Sequence, residues 1–287
     1  QKKNKICPQH HPQYPSCGEP WPNTCGRTSF RTSEYKFYKI VDDQNKYCGN
    51  PSDCGVVVSP QTLMASKDNN DTVLHIQSAT TDGSVTFTDM SREAHGISVG
   101  GNAHHSVAQA QRDATSIRLD GSSWLDIPNA PALQIRKRDF TIELWFYIEE
   151  FRGPTCSGGC YSGLISKSSD MGVNQCAKYD GWLLGYLNDG SLKFGYYDSY
   201  NACTNPVYSR ILTPKNTLVE KRWYHVSVSR TGGVTKMYLD GKLQGQFDDT
   251  YDYDETNPIV VGNYHAVSAS GTHDYLHNGY IDDVKIS

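Results

Sequence analysis

The fold is decided by two neighbouring segments, KRWYHVSVSR at residues 221–230 and VTKMYLDGKLQG at residues 234–245. Apolar and polar residues alternate with a period of two in both segments, as in strands that bury one face. Residues 230–233 and Asp240-Gly241 carry the turn formers that tight hairpins require. The stretch therefore predicts consecutive antiparallel strands, and we expect its aromatic side chains to pack inward.

The same alternation extends through most of the chain on both sides of this stretch. Residues 115–119 and 124–127 flank a turn at 120–123 and predict a hairpin, as do residues 182–187 and 191–197 around Asn188-Asp189-Gly190. Further strands are predicted at residues 140–148, 258–262 and 280–287. A sustained helical period of 3.6 with caps is absent from the sequence. We therefore predict an all-β, antiparallel β-sandwich of a dozen or more short strands.

The first part of the chain has a different composition. Seven of the 13 prolines lie within the first 60 residues, which forbids a continuous helix and favours extended backbone. Strands are still predicted at residues 34–41 and 55–59, and the polar residues 66–71 read as a linker. We predict an N-terminal disulfide-rich extended arm over residues 1–69 and a β-sandwich domain over residues 70–287.

Nine cysteines favour an oxidising, extracellular compartment. Five precede residue 55 and four lie between residues 156 and 203, so we expect disulfides to staple two separate regions. An odd number leaves one thiol that is buried, free or bonded to another chain, and zinc is an alternative at Cys156 and Cys160. The predicted disulfide cysteines are Cys7, Cys17, Cys25, Cys48, Cys54, Cys156, Cys160, Cys176 and Cys203.

Charge and hydropathy exclude several classes of partner. The 287-residue chain has a formal net charge of -4, so it lacks the basic character of nucleic-acid binders. Its apolar runs are too short to span a bilayer, and we predict no membrane span. The sequence begins without an apolar signal-peptide core, so we expect a processed secreted chain. The sequon Asn70-Asp71-Thr72 predicts N-glycosylation at Asn70.

Five segments in this order carry a resemblance to a known family: TSIRLDGSSWLDIP, DFTIELWFY, KRWYHVSVSR, VTKMYLDGKLQG and NGYIDDVKIS. Together they resemble the laminin-G-like branch of the concanavalin A-like lectin and glucanase superfamily, over roughly residues 72–287. The resemblance implies a jelly-roll sandwich whose last strand returns beside its first. It also implies a mostly non-catalytic class of extracellular modules that bind glycans or proteins.

Enzyme signatures are missing from the sequence. Laminarinase-type members of the superfamily carry Glu-x-Asp-x-x-Glu on one strand, and none of the eight Glu residues here begins that motif. Glu143 stands alone in its strand, while Glu149 and Glu150 are adjacent and point to opposite faces. A Gly-x-Ser-x-Gly elbow and a phosphate-binding glycine loop are also absent. We therefore expect a protein that is not an enzyme.

Calcium is the cofactor that the resemblance implies. Related jelly rolls hold a structural Ca²⁺ near the closing strand, and Asp282 and Asp283 match that place. The family's first-strand aspartate is replaced by Gln77, which removes one ligand. The alternative for Asp282 and Asp283 is a solvated pair at a strand edge. The acidic segment 248–255 is a second cation candidate, and its alternative is a solvated turn.

A tyrosine-rich region around the cysteine-bearing loops 151–181 and 198–210 is the candidate ligand site. Flat aromatic faces with flanking Asn and Asp suit sugar rings, although inward-facing core rings are the alternative. The residues predicted to bind ligand are Trp182, Tyr186, Tyr196 and Tyr197.

The arm decides among the roles that we consider. Its β-competent segments and odd cysteine suit docking on a neighbouring copy by strand addition. We therefore predict a structural or adhesion protein, a homo-oligomer or polymer that forms a filament or appendage on a cell or virion surface. The alternative is a secreted lectin, with or without calcium, whose partner is a glycan. A polysaccharide-acting enzyme is the third hypothesis.

Overall fold

The computed structural model describes residues 71–151, 161–169, 180–197, 210–263 and 276–287, together with strands at 38–41 and 44–47. The chain divides into two compact units, Gln1–Lys67 and Asp68–Ser287. In the first unit, β1 (Tyr38–Val41) pairs antiparallel with β2 (Gln44–Tyr47). The predicted strand at 55–59, Asn70 and all nine cysteines lie outside the described residues.

The second unit is built from strands. They are β3 (Leu74–Ile76), β4 (Ser98–Gly100), β5 (His104–Ser106), β6 (Ser116–Asp120), β7 (Trp124–Ile127), β8 (Phe140–Ile148), β9 (Tyr161–Ser169), β10 (Asp180–Leu187), β11 (Leu192–Tyr197), β12 (Ile211–Leu212), β13 (Trp223–Thr231), β14 (Val234–Leu239), β15 (Lys242–Asp248), β16 (Ile259–Val261) and β17 (Asn278–Ile286). A short 3-10 turn covers Pro131–Leu133. Among the described residues there is no helix with the length and hydropathy that a membrane crossing requires.

Two antiparallel sheets form the sandwich. One has seven strands in the order β12-β11-β10-β9-β16-β7-β4. The other has eight, in the order β15-β14-β13-β8-β17-β6-β5, with β3 also paired to β17. This confirms the predicted all-β jelly-roll sandwich.

The alternation in the sequence places the core between the two sheets. Every second residue of β13 and β14 is buried, as expected for strands that are covered on one face. Phe146 of the eight-stranded sheet contacts both sheets. Its ring centroid is 5.5 Å from that of Tyr224 in the same sheet and 6.4 Å from that of Tyr186 in the facing sheet. Buried aromatic contacts of this kind join the two sheets into one core.

Three of the predicted hairpins are confirmed. β10 pairs with β11, β13 with β14, and β14 with β15. Asp240 and Gly241 connect β14 to β15 with φ angles of 49° and 75°. This left-handed pair is what a two-residue hairpin turn needs, and it explains the Asp-Gly signal.

The predicted hairpin of β6 and β7 is wrong, although both strands form. β6 pairs with β17 and β5 in the eight-stranded sheet, whereas β7 pairs with β16 and β4 in the other sheet. The turn at 120–123 is therefore a crossing between the sheets, in which Asp120 Oδ1 accepts from Ser122 N at 2.9 Å. Alternation cannot separate these two topologies, because each buries one face of both strands in the same core.

The first and last strands of the second unit are neighbours, as the resemblance implied. β17 pairs with β3, and Val73 N donates to Ile286 O at 2.8 Å. β9 was missed, because it lies inside the segment 151–181 that we interpreted as a loop. It is a central strand of the seven-stranded sheet, and its polar residues Ser166 and Lys167 are fully buried.

The acidic segment 248–255 is not a solvated turn, because Asp249 and Glu255 are each 1% exposed. Asp249 Oδ2 accepts hydrogen bonds from Thr235 Oγ1 at 2.6 Å and Tyr253 Oη at 2.9 Å. Arg230 Nη2 donates to the Asp249 carbonyl at 2.9 Å, and Arg230 Nε lies 4.0 Å from Oδ2. The buried carboxyl group of Asp249 is thus held by a hydrogen-bonded network.

Candidate functional site

The aromatic residues that the sequence marked for ligand binding are core residues. Trp182, Tyr186 and Tyr196 are 0%, 1% and 5% exposed. The prediction that these three rings form a sugar-binding surface is therefore corrected. The side chain of Tyr197, the fourth residue, lies outside the described residues.

Strand alternation and the facing sheet explain this burial. Trp182 is opposite Tyr196 in the β10–β11 register, so both rings project from one face of the seven-stranded sheet, toward the core. Tyr196 stacks on Tyr251 at 4.1 Å. Tyr186 Oη lies 2.9 Å from His277 Nδ1, a buried hydrogen bond that fixes the ring.

A different set of aromatic side chains lies on the outward face of the eight-stranded sheet. In the strand register Trp223 is opposite Tyr147, Tyr147 is opposite Tyr280, and Tyr280 is opposite Arg118. Directly opposed residues project from the same face, and Tyr224 and Ile281, their neighbours in sequence, belong to the core. We call Trp223, Tyr147, Tyr280 and Arg118 the aromatic row.

The rings of the aromatic row touch one another along the sheet. The Tyr147 ring centroid is 5.6 Å from that of Trp223 and 5.7 Å from that of Tyr280, and the latter contact is edge-on. Tyr147 and Tyr280 are 7% and 8% exposed, whereas Trp223 is half-buried. The row therefore exposes little of its two tyrosine rings and more of its indole to solvent.

A second pair of rings lies beside the row, two positions along the strands. Trp145 is opposite His225, with ring centroids 5.0 Å apart, and both side chains are half-buried. His225 Nε2 lies 3.7 Å from Glu143 Oε2. His225 therefore contacts both the Trp145 ring and the Glu143 carboxylate.

Two side chains of the row, Tyr147 and Arg118, carry polar groups with defined surroundings. Burial and the nearby carboxylate of Glu149 raise the pKa of Tyr147, so its hydroxyl stays protonated and can donate a hydrogen bond. The guanidinium carbon of Arg118 lies 5.0 Å from the Tyr280 ring centroid, within the range of a cation–π contact. A partly exposed aromatic surface with a few fixed donors and acceptors is the chemistry of a ligand site.

The outward orientation of these rings could have been predicted from the sequence. A period of two through residues 223–229 puts Tyr224 on one face and Trp223 and His225 on the other. We had expected the aromatic residues of this motif to pack inward, which is confirmed for Tyr224 and wrong for Trp223.

Asp282 of the predicted calcium site is fully buried, and the alternative of a solvated pair is wrong for it. Its two oxygens accept from the backbone N–H groups of Asp283 and Arg112, each at 3.0 Å. Burial, assisted by the negative charges of Asp113 and Asp283, raises the Asp282 pKa to about 6.

The two oxygens of Asp283 face nitrogen atoms of two side chains. Oδ1 lies 2.9 Å from His75 Nε2, and Oδ2 lies 3.6 Å from Arg112 Nε. The hydrogen bond from His75 is the main reason that the Asp283 pKa is lowered. Gln77, in place of the family's aspartate, donates to Asp113 at 2.5 Å.

This donor set does not fit Ca²⁺, because His75 and Arg112 already occupy the two oxygens of Asp283. Within the described ranges, no group of three or more His, Cys, Asp or Glu side chains could hold a metal ion. The resemblance implies calcium at this place, whereas the donor set argues against it.

Comparisons with known proteins agree with this fold. The profile of the Laminin_G_3 family, described as Concanavalin A-like lectin/glucanases superfamily, matches residues 119–287. A botulinum-like toxin, eBoNT/J of Enterococcus sp. (strain 3G1_DIV0629), is 26% identical over 181 residues, which are 62% of this chain and 12% of the toxin. The chain thus spans about an eighth of the length of that relative.

Two solved structures illustrate what the chain is similar to. The binding domain of Paraclostridial Mosquitocidal Protein 1 is 16% identical with a TM-score of 0.53, over 76% of this chain and 49% of that chain. The CBM40 of a Ruminococcus gnavus IT-sialidase, solved with alpha2,3 sialyllactose, is 15% identical with a TM-score of 0.44. The match covers 60% of this chain and 88% of that chain. The family match covers more than half of the residues, and the chain belongs to the Laminin_G_3 family of the concanavalin A-like superfamily.

Proposed function

We propose that this chain is an extracellular, non-catalytic module that binds glycans, and that the aromatic row with Trp145 is its binding face. The observation that carries the proposal is the pair of half-buried indoles, Trp145 and Trp223, on the outward face of the eight-stranded sheet. The superfamily description, which names lectins and glucanases, supports a carbohydrate ligand.

The chemistry of the face suits a sugar. The apolar C–H face of a pyranose ring packs on an indole or phenol ring, which combines a large contact area with few rotatable bonds. Hydroxyl groups at the rim of the sugar need donors and acceptors, and Glu143, His225 and the Tyr147 hydroxyl can supply them. A few fixed polar groups around an aromatic surface give orientation and specificity.

The outward face of the seven-stranded sheet is a poorer candidate for sugar binding. By strand alternation Ser166, Leu183 and Val260 project away from the core on this side, and they are 0%, 2% and 0% exposed. Side chains that solvent does not reach cannot stack on a sugar. Among the described residues this sheet carries one half-buried indole, Trp124, whereas the eight-stranded sheet carries two, Trp145 and Trp223, which favours the eight-stranded sheet as the binding face.

Mutation of the two indoles tests the proposal. The full chain is applied to a glycan array, and affinities for the glycans that bind are measured by calorimetry for wild type, Trp145→Ala, Trp223→Ala and Trp124→Ala. Trp124 is the matched control, a half-buried indole on the seven-stranded sheet. We expect the first two changes to weaken binding by about tenfold or more each, the effect of losing one stacked ring.

The results separate three outcomes. Loss of affinity in Trp124→Ala, with the other two variants unchanged, would place the binding site on the seven-stranded sheet. An array without any glycan hit would refute the proposed function. Turnover of β-glucans or other polysaccharides by the wild type would refute the non-catalytic part, for which the lone Glu143 on its strand is the support.

Self-assembly through the N-terminal residues is the second candidate role. The described strands there, β1 and β2, are four residues each and pair with one another. Strand addition at the edge of such a hairpin would join it to another copy. Sedimentation of the full chain and of a variant lacking residues 1–67 tests this role, and identical monomer profiles at high concentration would reject it.

A further inference from the structure

We propose that the ligand of the aromatic row is an anionic glycan, whose carboxylate or sulfate group is held by Arg118 at the end of the row. The inference deepens the proposed function and rests on it. Its starting point is the position of Arg118, which the β17–β6 register places directly opposite Tyr280 on the outward face.

The guanidinium of Arg118 is oriented before any ligand arrives. Its Nη1 donates to Asn278 Oδ1 at 3.1 Å and to the Gly279 carbonyl at 3.0 Å, and it also contacts the Leu119 carbonyl. All three partners are neutral oxygens, and they engage the same nitrogen. A side chain anchored at one nitrogen loses little conformational entropy when its remaining N–H groups bind a ligand.

The positive charge of Arg118 is not neutralised by the residues around it. Across the described ranges, the ion pairs that Asp and Glu form with arginine involve Arg92, Arg112, Arg222 and Arg230, and not Arg118. The charge acts on its surroundings, because it contributes to the lowered pKa of the buried His277.

The acidic side chain closest along the same strand face is engaged elsewhere. Asp120 lies two positions after Arg118, and its Oδ1 accepts from both N and Oγ of Ser122 inside the turn. A half-buried cation beside an aromatic ring, without a carboxylate partner, favours an anionic group on the ligand.

A second basic residue extends this end of the row. His104 of β5 is opposite Arg118 in the β5–β6 register and is half-buried. Its Nδ1–H donates to the Asn102 carbonyl at 2.8 Å, so Nε2 of the neutral tautomer can accept a hydrogen bond from a sugar hydroxyl. The order of groups along the sheet is therefore indole, two phenols, guanidinium and imidazole. A sugar stacked on the rings would place a negative substituent at the basic end.

The test compares matched ligands on the wild-type full chain. One arm uses a sialylated oligosaccharide and its carboxyl methyl ester, and the other uses a sulfated glycan and its desulfated form. We expect the anionic member of at least one pair to bind about tenfold more tightly, with an affinity that falls as salt rises. Equal affinity within both pairs would overturn the inference, while binding of the neutral members would leave the proposed function standing.

Variants then assign the preference to Arg118. Arg118→Met is expected to abolish the difference within a pair, and Arg118→Lys to keep part of it, because lysine retains charge without the bidentate fork. Arg92→Met, at an exposed arginine paired with Glu93, is the matched control and should change nothing. A preference that persists in a folded Arg118→Met protein would also overturn the inference.

Folding of the variants is checked by thermal melts, because the Nη1 contacts bridge β6 and β17. If Arg118→Met does not fold, the Nε–H NMR signal of Arg118 in the wild type decides. A shift on adding the anionic member, and none with its neutral partner, supports the inference. An unchanged signal at saturating anionic ligand would overturn it.

Discussion

Trp223 and Tyr147 are direct neighbours across β13 and β8, with ring centroids 5.6 Å apart, on the face of the sheet that points away from the core. Their sequence neighbours Tyr224 and Phe146 stack on each other inside the sandwich at 5.5 Å. Two adjacent strands thus carry aromatic pairs on both faces. The inner pair packs in the core, and the outer pair is the part of the proposed binding face that these two strands supply.

Trp182 is expected to contribute to stability and not to recognition. Its side chain is fully buried, and a Trp→Ala change at such a site removes about 3–5 kcal/mol from the free energy of unfolding. Urea denaturation measures this loss, and Trp182→Phe, which keeps an aromatic ring, should lose much less. Glycan affinity of the folded Trp182→Phe protein should stay within about twofold of wild type. A large affinity loss in that variant would restore the original aromatic-site prediction.

His277 should make the protein less stable in mild acid. It is fully buried beside Tyr186, and burial lowers its pKa from 6.5 to about 3. The unfolded chain therefore binds a proton first, and this contribution to stability is lost as the pH falls below 6.5. Between pH 7.5 and pH 5 the expected loss is about 2 kcal/mol.

Denaturation curves at both pH values measure this effect in wild type and His277→Asn, in which the amide oxygen can replace Nδ1. The variant should show a smaller loss on acidification. An imidazole signal of His277 that titrates near pH 6.5 in the folded protein would contradict the assignment.

The contribution of Asp282 to stability depends on pH in the opposite direction. Its pKa is raised to about 6 in the folded protein, above the ordinary 3.8, so its contribution to stability is present at low pH and lost as the pH rises through 6. Carboxyl carbon NMR should show the titration of Asp282 near pH 6. Because His75 and Arg112 occupy the neighbouring Asp283, we expect the midpoint to be unchanged in about 5 mM CaCl2, above the range of weak extracellular calcium sites. A midpoint that falls well below 4 with calcium would show that the ion binds here.

The buried pair of Arg230 and Asp249 should be sensitive to loss of one partner. Asp249→Ala leaves the guanidinium buried without its carboxylate and removes two acceptor atoms, which costs about 3–5 kcal/mol. The exposed neighbour Asp248 is the matched control, and Asp248→Ala should stay within about 0.5 kcal/mol. Equal effects of the two changes in urea denaturation would argue against the network.

Much of the fold could be predicted from the sequence because alternation and turn chemistry are local. Val234–Leu239 was placed in full, and Asp240-Gly241 marked the turn after it. The sheet to which a strand belongs is not a local property. For that reason the sequence predicts a hairpin where the chain crosses from β6 in one sheet to β7 in the other. β9 was not predicted, because small and charged residues such as Ser166 and Lys167 give this buried strand a polar sequence.

The candidate site was harder to predict. Tyrosine density indicated Tyr186 and Tyr196, but density does not say which face of a strand a ring occupies. The basic end of the row depends on the pairing of β6 with β17, two strands separated by more than 150 residues in the chain. Only the register brings Arg118 next to Tyr280.

The most direct test of the aromatic row uses the indole N–H signals of the five tryptophans, assigned by single Trp→Phe changes. A glycan that binds on the array is titrated into the labelled full chain, and each signal is followed by NMR. We predict that the signals of Trp145 and Trp223 shift in a saturable way, while those of Trp124 and Trp182 stay in place. Saturable shifts at Trp124 or Trp182, with Trp145 and Trp223 unchanged, would contradict the assignment of the binding face.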